Sequence, residues 1–124
     1  MPAPCYRIAA DRWGSRGVVT AEWLGRFPIE PGTTRLAGVT GADLSADGHH
    51  LVVRTYRELF FYLVDDQGDP GTGPIATCPV LGLESQGEGV AWLDQDRVAL
   101  TSERGVFGRG TVAVVQCRIP ARFE

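Results

Sequence analysis

Glycine and proline interrupt this sequence so often that no long helix fits between them. The chain holds 16 Gly and 8 Pro among 124 residues, and both residue types are unfavourable inside helices. The segments between these breaks are short and rich in Val, Leu and aromatic side chains, a pattern typical of strands joined by turns. The sequence therefore predicts an all-β fold.

Nine short segments match the strand pattern. The predicted strands are 5–9, 17–29, 39–46, 50–57, 59–66, 74–81, 88–94, 97–103 and 110–119. Runs such as LVVRTY, LFFYLV and TVAVVQC are apolar on both sides of the strand, which indicates sheets covered on both faces. We therefore expect antiparallel sheets stacked face to face.

Two parts of the chain resemble each other. GADLSADGHHLVVRTY, which begins at Gly41, aligns with GVAWLDQDRVALTSE, which begins at Gly89, when one turn residue is omitted. The offset is 48 residues before the turn and 47 after it. A repeat of about 40–50 residues with four strands per unit is typical of a β-propeller blade.

The predicted strand order divides the chain into unequal parts. We expect a single domain over 1–124, with an outer strand at 17–29, one blade at 35–82 and a second blade at 85–120. The second blade lacks an outer strand, whereas the chain begins with a spare one. Because two blades cannot close a ring, we expect the spare strand to pair with another chain. That chain is either a further copy, in a dimer or trimer, or a different polypeptide that carries the missing blades, which the leftover strand at 5–9 favours.

VTGADLSADGHHLVVRTY and LESQGEGVAWLDQDRVALTSE resemble bacterial β-propeller proteins of the WD-like and phytase/esterase-like group. The RTY, QGE and TSE elements carry the resemblance, which spans about residues 35–119. It implies propeller-type, four-stranded antiparallel blades. It implies no particular activity, because many members of the group have none assigned.

Four polar residues are candidates for the central channel of such a ring: Asp43, Arg54, Glu88 and Glu103. Carboxylates beside an arginine have the chemistry to hold a metal or polarise a small substrate. We favour the alternative that Asp43 and Arg54 face each other across a hairpin as a buried pair that fixes the register.

The loop DDQGDPGTG contains Asp65, Asp66 and Asp69. Calcium or another divalent metal favours such oxygen-rich loops, but the spacing is not that of an EF-hand. We favour a solvated turn and expect no cofactor.

The large aromatic residues suit either packing or binding. We expect Trp92 and Phe61 to pack between sheets. Trp13 and Trp23, near the N-terminus, are the candidates for contact with a partner.

Charge and hydropathy limit the remaining function classes. The net charge is −3 and all 12 basic residues are arginine, without the basic stripe expected of a nucleic-acid binder. No stretch approaches the ~20 apolar residues of a membrane span. We expect no signal peptide in MPAPCYRIAADRWG; the compartment is cytoplasmic as encoded, or extracellular for a fragment of a secreted protein.

The three cysteines have no CxxC spacing, which argues against a zinc site. We favour Cys5, Cys78 and Cys117 as small apolar residues on strands. The alternative is a disulfide between Cys78 and Cys117 in an oxidising compartment.

These patterns together favour a non-enzymatic binding and assembly module that oligomerises to complete a propeller. The alternative is an esterase-like or lactonase-like propeller hydrolase, with the channel candidates around its axis and a metal dependence.

Overall fold

The fold consists of short strands joined by turns. The computed structural model describes residues 3–30, 38–83, 86–105 and 108–120. The strands in these residues are β1 Pro4–Arg7, β2 Glu22–Arg26, β3 Val39–Leu44, β4 His50–Thr55, β5 Glu58–Leu63, β6 Ala76–Pro79, β7 Gly87–Trp92, β8 Arg97–Ser102 and β9 Val112–Gln116. Each predicted strand has its counterpart, so the all-β prediction is confirmed. Residues 35–37, 85 and 106–107 of the predicted blades lie outside the described residues.

Helical structure in these ranges is limited to one 3-10 turn, Ala10–Arg12. Within the described ranges, no helix is long and apolar enough to cross a membrane.

The strands form three antiparallel sheets. The N-terminal sheet pairs β1 with β2, the middle sheet has the order β3-β4-β5-β6, and the C-terminal sheet has the order β7-β8-β9. The strand order predicted for the last two sheets is confirmed. The spare strand predicted at 17–29 has a partner within the chain, because β1 runs beside β2 and pairs with one of its edges.

The middle sheet is covered on both faces. Alternate residues of a strand point to opposite faces. Val52 and Phe61 therefore pack with Leu100 of the C-terminal sheet, while Val53 and Tyr62 pack with Ile29, just after β2. The prediction of strands covered on both faces is confirmed for LVVRTY and LFFYLV. It is wrong for TVAVVQC, because Val112 and Val114 are exposed on one face of β9.

A disulfide joins the outer strand of the middle sheet to the end of the C-terminal sheet. Cys78 in β6 bonds to Cys117, which directly follows β9. The alternative of a Cys78–Cys117 pair is therefore correct, and the favoured interpretation of these two residues as plain apolar side chains is wrong. Cys5 is a free, half-buried thiol.

We expect reduction of this disulfide to lower the free energy of unfolding by roughly 3–4 kcal/mol, because it closes a long loop in the unfolded chain. The two cysteines are 39 residues apart. Urea unfolding of the wild type with and without reductant measures the effect. Cys5→Ser is the matched control and should leave the difference unchanged; an equal midpoint in reduced and oxidised protein would contradict the prediction.

Tyr62 anchors the N-terminal segment to the middle sheet. Its hydroxyl donates a hydrogen bond to the Pro28 carbonyl over 3.1 Å, and its ring meets Phe27 edge-on at 5.0 Å between centroids. Tyr62 is fully buried. Burial raises the pKa of its phenol from 10.0 to about 12, because the charged form is poorly solvated there.

Alkaline pH should therefore weaken the fold through Tyr62. The unfolded chain ionises this phenol near pH 10 and the folded chain near pH 12, so its contribution is complete below pH 10 and is lost as the pH rises to 12. The loss amounts to roughly 2–3 kcal/mol. Tyr62→Phe should cost about 1 kcal/mol at neutral pH and flatten this decline. Urea midpoints measured from pH 8 to 12 test it, with the exposed Tyr6→Phe as the control that keeps the wild-type decline.

Candidate functional site

The seam between the middle and C-terminal sheets contains most of the predicted channel residues. Its inner strands β3 and β7 run side by side in the same direction, since Gly41 lies against Glu88 and Asp43 lies against Trp92. The approach is close: a Cβ on Gly41 would lie 2.6 Å from the Glu88 carbonyl oxygen. Only glycine permits this distance between the two backbones.

Arg54 crosses this seam from the middle sheet into the C-terminal sheet. Its side chain is 1% exposed, and Nη1 donates hydrogen bonds to the carbonyl oxygens of Gly89 at 2.7 Å and Thr101 at 3.1 Å. A Cβ on Gly87 would overlap the guanidinium group, so the glycine provides the space that the arginine occupies. A charged donor on backbone carbonyls makes strong hydrogen bonds and holds β7 and β8 against β4.

Tyr56 and Glu88 form a second polar contact at the same end of the seam. The Tyr56 hydroxyl donates to Glu88 Oε1 over 2.7 Å. The pKa of Tyr56 is raised, first by this hydrogen bond to a carboxylate and then by burial. The charge of Glu103 raises it further and that of Arg54 lowers it, so the four side chains lie within reach of one another's fields.

The structure thus brings together Arg54, Glu88 and Glu103 and adds Tyr56. Tyr56 was not among the residues predicted from the sequence to form this site. The signal was its spacing: Tyr56 follows Arg54 by two positions, and residues two apart in a strand share a face.

Asp43 lies elsewhere and does not pair with Arg54 among the described contacts. The strand register places Val52 opposite Asp43 and Gly41 opposite Arg54, so the prediction of a facing, buried Asp43–Arg54 pair is wrong. The Asp43 carboxylate instead accepts the backbone N–H of Trp92 at 2.8 Å. The Trp92 indole donates to the Asp43 carbonyl at 3.1 Å, which closes a second link across the seam.

A shallow pocket of about 1040 Å³ opens between the β3–β4 and β7–β8 turns and is lined by Asp43, Asp47, His50, Trp92, Asp94 and Asp96, among others. Its turn carboxylates bind their own loops. The Ser45 hydroxyl lowers the pKa of Asp47, and Arg97 lowers that of Asp94 to about 2.

The predicted calcium loop has a similar internal structure. Asp65 Oδ1 accepts the backbone N–H groups of Gln67 and Asp69, both at 2.9 Å, and Asp69 Oδ1 accepts that of Gly71 at 2.7 Å. Asp66 is exposed on the same turn. Among the residues that the structure describes, no cluster of three or more acidic, His or Cys side chains is arranged to hold a metal.

The N-terminal sheet carries an exposed aromatic pair. Tyr6 and Trp23 are direct cross-strand neighbours, and they are 59% and 65% exposed. We call this pair the N-terminal face. Trp13 is also exposed, and its indole donates to the Ile8 carbonyl at the end of β1. Both tryptophans predicted to contact a partner thus lie on the surface.

The C-terminal sheet is uncovered on the side opposite the core. Ala91, Ala99 and Val114 follow one another across its three strands, and Val112 lies beside them on the same side. Val112 and Val114 are 76% and 59% exposed. These four residues are the C-terminal face.

Comparison of the chain with models of protein families gives no match, and comparisons with curated proteins and with solved structures give none either.

We expect Gly87→Ala to destabilise the fold by roughly 2–3 kcal/mol, because its methyl group collides with the Arg54 guanidinium. In an Arg54→Met background, the same substitution should cost less than about 1 kcal/mol, since methionine lacks the colliding group. Urea unfolding of the four proteins in this cycle gives the coupling energy. Gly73→Ala is the control, because its Cβ would meet no atom within 4 Å; additive effects of the two seam substitutions would contradict the proposed contact.

Proposed function

We propose that this chain is a non-enzymatic assembly module, an arc of a propeller-type ring that associates with other chains through its two end sheets. The observation that carries the proposal is the contrast between sheets. The central strands β4 and β5 of the middle sheet are buried on both faces, while Tyr6, Trp23, Val112 and Val114 leave large apolar side chains exposed on the end sheets. Exposed apolar patches of this kind mark interaction sites.

Shared geometry of the middle and C-terminal sheets supports the propeller-type interpretation. Each first strand has a register shift just before a glycine, between Val39 and Gly41 in β3 and between Gly87 and Gly89 in β7. Gly41 and Gly89 are also the residues that the sequence alignment matches. Parallel inner strands with antiparallel strands outside them are the arrangement of neighbouring propeller blades.

The polar seam supports assembly rather than hydrolysis. Arg54 Nη1 donates to two backbone carbonyls, and the Glu88 carboxylate accepts a hydrogen bond from the Tyr56 hydroxyl. These contacts fix one sheet against the next. A ring that is built from several chains needs this angle to be fixed within each of them.

We expect the wild-type chain to associate at micromolar concentration. Light scattering during size-exclusion chromatography should give a mass of at least twice 13.4 kDa. The double variant Trp23→Glu/Val114→Glu should be a folded monomer, because each glutamate places a charge on an apolar face that would be buried.

Leu83→Glu is the matched control, because Leu83 is 57% exposed and belongs to neither face; it should keep the wild-type mass. A wild-type protein that stays monomeric up to about 100 μM, in the micromolar-to-millimolar range of weak association, would overturn the proposed function.

A further inference from the structure

The two end faces differ in shape and in their place along the chain. The N-terminal face presents two large rings, Tyr6 and Trp23, whereas the centre of the C-terminal face consists of the small side chains Ala91 and Ala99. Close packing needs protruding side chains opposite small ones. Packing either face on the same face of a second copy would bring large side chains against large ones, or small side chains against small ones.

We infer that the partner is a second copy of this chain, whose N-terminal face packs on the C-terminal face of the first, head to tail. This inference rests on the proposed function and names its partner and its two surfaces. Such an interface joins two different patches, so every copy keeps one face of each kind available for the next.

The correspondence between the sheets supports this direction of stacking. With Gly41 aligned to Gly89, Asp43 corresponds to Ala91. The cross-strand row that starts at Asp43 in the middle sheet is covered by the C-terminal sheet, where Asp43 binds Trp92. The row that starts at Ala91 lies on the corresponding side of the C-terminal sheet, and no other sheet covers it. Continuing the stacking that the chain already shows places a further sheet there.

Among the described residues, the N-terminal sheet is the sheet whose Tyr6–Trp23 side is not covered by another sheet. Ala3 and Phe27, which continue its strand pairing just beyond β1 and β2, pack in the cluster of Ile29 and Tyr62 against the middle sheet. A second copy that follows in the same direction therefore presents Tyr6 and Trp23 to the Ala91 row. No reversal of the stacking order is needed.

Mixing two single variants tests the pairing. Trp23→Glu blocks the N-terminal face and Val114→Glu blocks the C-terminal face, so each variant alone should be monomeric by light scattering. An equimolar mixture should give a 1:1 heterodimer of about twice 13.4 kDa, because the intact face of each variant fits that of the other. Mixing either variant with Leu83→Glu, which keeps both faces, should give oligomers that stop growing where the blocked face of the variant is at the end.

Two results would overturn the inference while leaving the proposed function intact. Self-association of Trp23→Glu alone would show that C-terminal faces pair with each other, and self-association of Val114→Glu would show the same for N-terminal faces. Persistent monomers in the mixture, with an associating wild type, would show that the partner face lies elsewhere. A monomeric wild type would instead remove the proposed function itself.

Folding is checked independently of association. Each variant should keep the Cys78–Cys117 disulfide and the near-ultraviolet circular dichroism of the wild type. Tyr6→Glu and Val112→Glu address the same two faces at neighbouring exposed positions and replace any variant that fails this check.

Discussion

The close approach of β3 and β7 is the constraint on which the rest of the structure depends. Gly41 allows the two backbones to meet, and Gly87 makes room for the guanidinium of Arg54. Once the arginine is in place, its hydrogen bonds hold strands β7 and β8 together with β4. These few residues set how the two sheets meet. The apolar layer around Phe61 and Leu100 and the disulfide beyond it depend on that arrangement.

Polar contacts at the inner strands and a disulfide at the outer strand hold the middle and C-terminal sheets together at opposite edges. Arg54 and Asp43 act at the inner strands, where small residues leave little apolar surface to bury. Cys78 and Cys117 act at the outer strand, where the sheet is narrow and its edge is open. The apolar core lies between the two. Rotation of one sheet on the other would therefore break contacts at both ends of the sandwich, and the angle between the sheets is a fixed property of the chain.

Most of the fold follows from local sequence signals, whereas most of the site does not. Strand positions come from short apolar runs between Gly and Pro, and these act within a few residues. The partners of Arg54 are backbone carbonyls, which every residue has, so no pattern of side chains identifies them. Asp43 was assigned the wrong partner because the register of β3 on β4 decides what faces it: Val52 lies opposite Asp43, and Arg54 lies two residues further along β4. The β1–β2 pair was missed as a pair because both strands are short and lie far apart in the sequence.

A fixed angle also limits what the chain can assemble into. If the sheets could adjust to a partner, the number of copies in a ring would depend on conditions, and open chains would compete with closed ones. In the proposed assembly, each copy carries the angle that Arg54 and its glycines establish, so closure would depend on whether the seam between copies has a similar angle. That added seam would lack an equivalent of Asp43, because Ala91 stands in the corresponding position, and it would pack through apolar contact alone. Association through such a seam would be reversible, whereas the seam within the chain is permanent.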